Sequence, residues 1–188
     1  MSIVLVTGPV RSGKSAAAEV LAARRGGPVV VAVAGWGGDG EMERRIEAHR
    51  SGRPAGWTTV DAGSGTGWLD AVPDGAALLL DCLGTLVANI CHEEVGDAEI
   101  ASEGSEAAVS RRVDALVAAL LARAGDSVVV SNETGWGIVP VWPGSRVFRD
   151  ELGRANRRLV DGADAAYLVI DGRFLDLRAL PTQPAWPR

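Results

Sequence analysis

Residues 8–15 read Gly-Pro-Val-Arg-Ser-Gly-Lys-Ser, a G-x-x-x-x-G-K-[ST] phosphate loop. Glycines let such a loop curl so that successive backbone N–H groups point inward at phosphate oxygens. A helix beginning at the loop adds its positive end to that field. Along Gly8, Pro9, Val10, Arg11, Ser12, Gly13, Lys14 and Ser15, the Lys14 ammonium is expected to reach the β- and γ-phosphates. The Ser15 hydroxyl is expected to ligate magnesium. A second oxygen donor is Asp81, at the end of the apolar run Leu78-Leu79-Leu80-Asp81. A carboxylate there serves either as the second magnesium anchor or as the cap of the next helix. Together these residues predict a nucleoside triphosphate site with Mg2+.

His49 is one of two histidines, in the stretch Arg45-Ile46-Glu47-Ala48-His49-Arg50-Ser51-Gly52-Arg53-Pro54. An imidazole near neutral pH offers an uncharged nitrogen nucleophile. Met42, Ile46 and His49 also fall on one helical face, which suits a packed helix residue equally well. His92 has no partner pattern and reads as structural or exposed. Asn132-Glu133 ends an apolar run and suits either a ligand contact or a cap. Arg146, Arg149, Arg154, Arg157 and Arg158 form a basic helix face, usually a solvated one, with a ligand contact open to one or two of them; the six tryptophans suit core or interface positions, or stacking on a flat ring.

These residues need a scaffold. Residues 3–7, 28–34, 56–61, 76–82 and 127–133 are short runs rich in apolar or β-branched residues and read as strands. Helices are expected after the phosphate loop, over 40–50, over 84–92, from a Ser105 cap to about residue 124, and over 147–160. Residues 93–104 read as a polar loop. Residues 165–171 and 173–180 read as strands paired across Asp171-Gly172. Alternating strands and helices predict an α/β fold with a mostly parallel sheet covered on both faces, its ligands at the carboxyl ends of the strands. Residues 1–180 read as one domain and 181–188 as a proline-rich tail.

The 188 residues suit one domain, and 47% hydrophobic content supplies a core. With 24 acidic against 19 basic side chains, the net charge of −5 argues against nucleic acid as a partner. Two cysteines form no disulfide framework. No apolar run approaches the ~20 residues of a membrane span. Met1–Gly8 runs straight into the phosphate loop and reads as a strand, not a signal peptide, so a cytoplasmic location is expected.

Five stretches, in order, resemble one enzyme family: 6–19 around the phosphate loop, 39–61 containing R-I-x-x-H-R-x-x-R-P, 78–89, the segment Asn132–Pro140 (N-E-x-G-x-G-I-V-P), and 148–172 with F-R-D-x-x-G-x-x-N-x-R-L. The chain is similar to the bifunctional adenosylcobinamide kinase / adenosylcobinamide-phosphate guanylyltransferases of cobalamin biosynthesis. The resemblance implies a RecA-like P-loop NTPase fold and a homotrimer. It implies phosphorylation of the aminopropanol hydroxyl of adenosylcobinamide by ATP or GTP, then GMP transfer from GTP through a guanylylated histidine, here His49. It further implies that Thr7 to Lys14 hold phosphates. Val33, Ala34 and Gly35 meet the nucleotide, as do Arg50, Ser51, Gly52 and Arg53. Asp61 approaches the ribose or base, and Asp81 stands at the sheet edge. Family members often carry a second histidine where this chain has Ala48, A-T-x where it has Val33-Ala34-Gly35, and Gly-Ala where it has Pro9-Val10. A small-metabolite kinase without guanylyl transfer, and a nucleotide-binding regulatory protein, are the competing readings.

Overall fold

Apolar runs without polar alternation suit strands buried on both faces. The computed structural model, which describes residues 2–35, 53–96 and 101–183, has seven strands. They are β1 (Ile3–Thr7), β2 (Val29–Val33), β3 (Thr58–Asp61), β4 (Ala77–Asp81), β5 (Ser127–Val130), β6 (Ala165–Ile170) and β7 (Arg173–Asp176). The described helices are α1 (Lys14–Arg25), α2 (Leu83–Val95), α3 (Glu103–Ala122) and α4 (Pro143–Gly162). The sheet order is β3-β2-β4-β5-β1-β6-β7. All neighbours are parallel except β6 and β7. The expected α/β P-loop NTPase architecture is therefore present, with helices on both faces.

The period-two alternation of strand side chains sorts the core into two layers. Leu5, Val30, Ala32, Leu78, Leu80 and Val129 pack with residues of α2, α3 and α4. Val6, Val29, Val31, Leu79, Val128 and Val130 pack with Ala18 and Ala22 of α1. A leucine buried as fully as Leu80 contributes about 2–3 kcal/mol. Small residues on α1 let that helix lie close to the strands that carry the phosphate loop.

Several boundaries differ from the sequence reading. α2 continues to Val95, because Glu93 and Glu94 are helical and meet Arg112 of α3, each at 2.6 Å. The cap of α3 is Ser102, whose side chain accepts from the Ser105 N–H at 3.1 Å; Ser105 is the donor, not the cap. β5 ends at Val130 and β7 at Asp176, and α4 starts at Pro143, where proline suits the first turn. The β6–β7 turn is as expected: Asp171 and Gly172 both adopt positive φ, 48° and 71°. The helix expected over 40–50 lies outside the described residues.

At the amino ends of the strands, side chains tie several segments together. Arg123 donates to the carbonyls of Asp126, Pro73 and Ala76 at 2.9–3.0 Å. The Asp126 carboxylate accepts from the Ser2 N–H at 2.6 Å and pairs with Arg25. Asp164 accepts from the Ile3 N–H at 2.8 Å.

Cys91, on the buried face of α2, is desolvated, and this, aided by the Glu151 charge, pushes its thiol up to about 12. Burial also raises Cys82, against a hydrogen bond with Thr85. At pH 8 both thiols are then overwhelmingly protonated, and only the thiolate alkylates. Native protein treated with iodoacetamide for minutes should gain no label by mass spectrometry, and two labels after denaturation. Rapid native labelling would contradict this packing.

Candidate functional site

The parallel registers align the strand ends. Asp61 pairs with Val33, Val33 with Asp81, Asp81 with Val130, and Val130 with Val6. One row across the sheet thus places Asp61, Val33 and Asp81 at the same edge as the phosphate loop, which begins just beyond Val6 and Thr7. From β1 the chain crosses to β2 on one side, while β6 lies on the other, so the crevice at β1 is a topological switch point.

The loop fits its place tightly. A Cβ on Gly8 would stand 2.3 Å from the Val169 carbonyl oxygen and 2.8 Å from Ser12 Oγ, so only glycine fits. Arg11 at φ 58° and Gly13 at φ 93° turn the chain into α1. Ser12 N–H donates to Pro9 O at 3.3 Å, and Gly172 N–H donates to Ser12 O at 2.9 Å. The turn between β6 and β7 therefore props the loop from outside. Lys14 is buried, and its Nζ donates to Pro9 O at 3.1 Å. Ammonium and loop backbone are folded onto one centre, and phosphate oxygens would exchange for that carbonyl.

Ser15 Oγ donates to Asp81 Oδ1 at 3.4 Å, bringing together the hydroxyl and carboxylate singled out as metal ligands. Asp81 does not cap the following helix: the N-cap position of α2 is Cys82. These are hard oxygen donors, the type Mg2+ takes, and Mg2+ draws the rest of its shell from phosphate and water. Among the described residues no group of three or more His, Cys, Asp or Glu could hold a metal unaided. A hydroxyl-plus-carboxylate pair beside a phosphate cradle fits that arrangement.

Val33 is half-buried, Ala34 is buried, and Gly35 is exposed with its carbonyl 3.5 Å from Asn89 Nδ2. Asp61 is exposed at the end of β3. Arg53 Nε lies 3.6 Å from Glu19 Oε1 on α1. His49, Arg50, Ser51 and Gly52 lie outside the described residues.

A further carboxylate stands beside the loop. Glu133 N–H donates to Gly8 O at 3.1 Å, locking the segment after β5 to the phosphate loop. Its Oε1 accepts from Thr7 Oγ1 at 3.5 Å and from Asn156 Nδ2 at 3.4 Å. Burial raises the Glu133 carboxyl above its ordinary range, and the Asn156 and Thr7 hydrogen bonds pull it back. Asn156 also donates to Asn132 O at 3.0 Å and accepts from the Ser131 hydroxyl at 2.5 Å. Sequence reasoning singled out Asn132 and Glu133 but assigned no role to Asn156, although it is the Asn of the F-R-D-x-x-G-x-x-N-x-R-L stretch. Its signal was available: it is a polar residue on the buried face of α4, four positions after Leu152.

The chain matches the family model described as cobinamide kinase / cobinamide phosphate guanyltransferase over residues 4–177. It is 37% identical over 176 residues to the bifunctional adenosylcobalamin biosynthesis protein CobU of Escherichia coli K12, covering 90% of this chain and 96% of that protein. Against the protein of the same description from Salmonella typhimurium LT2, identity is 39% over 177 residues, with the same coverages. Among solved structures, the ATPase domain of G40P superposes with a TM-score of 0.45 at 14% identity, covering 89% of this chain and 68% of that one. The chain therefore belongs to the cobinamide kinase / cobinamide phosphate guanyltransferase family, enzymes that combine a kinase with a nucleotidyltransferase.

Proposed function

We propose that this chain phosphorylates the aminopropanol hydroxyl of adenosylcobinamide with ATP or GTP. It then transfers GMP from GTP to that phosphate, giving adenosylcobinamide-GDP. The observation that carries this reading is the meeting of the Ser15 hydroxyl and the Asp81 carboxylate at 3.4 Å beside the Lys14 loop, in a chain of this family.

In the kinase step the acceptor oxygen bonds to the γ-phosphorus, the β,γ-bridging P–O bond breaks, and a nucleoside diphosphate leaves. The acceptor hydroxyl gives up its proton to solvent water. Lys14 and the loop N–H groups hold the phosphates and offset charge as it shifts toward the leaving diphosphate. Ser15 and Asp81 would hold Mg2+, which supplies charge neutralisation when bound.

In the transfer step a neutral ring nitrogen of His49 bonds to the α-phosphorus of GTP, and pyrophosphate leaves. An oxygen of the cobinamide phosphate then displaces the imidazole, forming the P–O–P link and breaking the P–N bond. Splitting one displacement into two lets one enzyme hold each partner in turn. Arg50 and Arg53 flank His49 in sequence and suit the charge of the α-phosphate and pyrophosphate. The same reading takes the enzyme as a cytoplasmic homotrimer.

Intact mass after incubation with GTP and Mg2+ tests it. A gain of one guanylyl group, discharged by adenosylcobinamide phosphate, is the expected result. ATP-dependent phosphorylation without any mass gain would leave a kinase alone. Nucleotide binding with no turnover of adenosylcobinamide would reduce the chain to a binding protein.

A further inference from the structure

The segment after Glu133 contradicts the usual burial rule. In Thr134–Trp142, Ile138 is 94% exposed, Val141 85%, Trp142 70%, Trp136 68% and Val139 65%. Five large apolar side chains face outward within seven residues, where polar turn residues are the norm.

This loop is nonetheless firmly held. Arg149 Nη1 of α4 donates to the carbonyls of Ile138 at 3.1 Å and Gly137 at 3.4 Å. Arg146 Nη1 donates to those of Pro140 at 3.2 Å and Val141 at 2.5 Å. The arginines take up backbone acceptors, so the loop is fixed by its main chain while its side chains stay free. At one end it is anchored through Glu133 to Gly8. At the other, Trp142 is the N-cap position of α4.

We propose that this loop is the docking ledge for the corrinoid acceptor, a conclusion that rests on the function proposed above. Three observations favour that occupant. The ledge is continuous with the phosphate edge: at about 3.5 Å per residue, Trp136 Cα lies within about 11 Å of the Glu133 Cα. The acceptor needs its body close by, because its hydroxyl arm must reach the phosphate loop. The exposed surface is apolar and aromatic, with Arg146 and Arg149 engaged on its carbonyls. That suits the broad face of a macrocycle better than a phosphate or a nucleic-acid backbone. Flat ring systems stack on exposed aromatic side chains.

The test uses the full-length W136S/W142S double variant, and Ile138→Ser as a second variant. All three side chains are exposed, so the fold does not depend on them. The KM for adenosylcobinamide is measured in the ATP-dependent phosphorylation, with assembly mass by sedimentation and the GTP-dependent mass gain alongside. The expected result is a KM for adenosylcobinamide raised ten-fold or more in the double variant and several-fold in Ile138→Ser. kcat, KM for ATP, assembly mass and GTP-dependent mass gain should stay within about two-fold. An unchanged acceptor KM overturns the inference. So does a raised KM accompanied by a smaller assembly, which would make the loop an interface between copies of this chain. A wild-type enzyme that neither turns over nor binds adenosylcobinamide in direct titration overturns the function proposed above together with the ledge. An acceptor KM unchanged in the variants of an active wild-type enzyme overturns the ledge alone.

Discussion

His49→Ala is expected to carry no covalent GMP after incubation with GTP and Mg2+, and to lose guanylyl transfer by about 10⁴–10⁶-fold, the scale on which removing a covalent nucleophile acts. The bond concerned is P–N, so the wild-type adduct should discharge in acid and survive in base. The two activities supply an internal control. Phosphorylation of adenosylcobinamide needs the phosphate loop but not the imidazole, and should persist within about two-fold. That separates loss of a nucleophile from loss of fold. A His49→Ala protein that still gains the guanylyl mass would assign the nucleophile to another residue.

Lys14→Ala should instead silence both halves, since each begins with a bound triphosphate. Loss of one preorganised donor at a developing charge costs about 10²–10³-fold, and a buried ammonium among the loop N–H groups belongs at the upper end. Lys14→Arg should not restore activity. A guanidinium is planar and larger than the ammonium that here donates to Pro9 O from a buried position. The sequence makes the experiment unusually clean, because Lys14 is its only lysine and every other basic side chain except histidine is arginine. An amine-directed reagent therefore reports on this one ε-amine, apart from the N-terminus, and nucleotide should slow its modification. Kinase activity retained within ten-fold in Lys14→Ala would contradict the phosphate-loop reading.

Much of the scaffold is legible in the chain because local chemistry dictates it. Runs such as Leu78-Leu79-Leu80 suit a strand covered on both faces, and Gly8 to Ser15 announce a strand-to-helix phosphate cradle. The β6–β7 turn is equally local, since Asp171-Gly172 tolerate the positive φ it needs. What escaped the sequence reading depends on distant partners. Glu93 and Glu94 read as loop because they are acidic, yet Arg112, 18–19 positions later, turns them into a helix end with cross-helix pairs. Ser64 joins the same arginine at 2.9 Å across 48 positions. Asn156 stands in the 148–172 motif without a role of its own, and only the folded arrangement brings it to Glu133. Asp81 suits a cap or a ligand by sequence; the cap reading falls because β4 ends at Asp81 and the cap position of the next helix is Cys82.

The ties made by Arg123, Asp126 and Asp164 have a consequence for how the molecule breathes. They link the starts of β1, β4, β5 and β6 to the segment near Pro73, to the end of α3 and to the end of α1. Opening the sheet from that end means breaking several side-chain anchors at once, so its amides belong with the last unit to open. The opposite end carries ties of its own, from the Glu133 N–H to Gly8 O and from the Gly172 N–H to Ser12 O. The clamp built far from the chemistry thus keeps the strands that carry the phosphate loop in register, whatever happens at the other end.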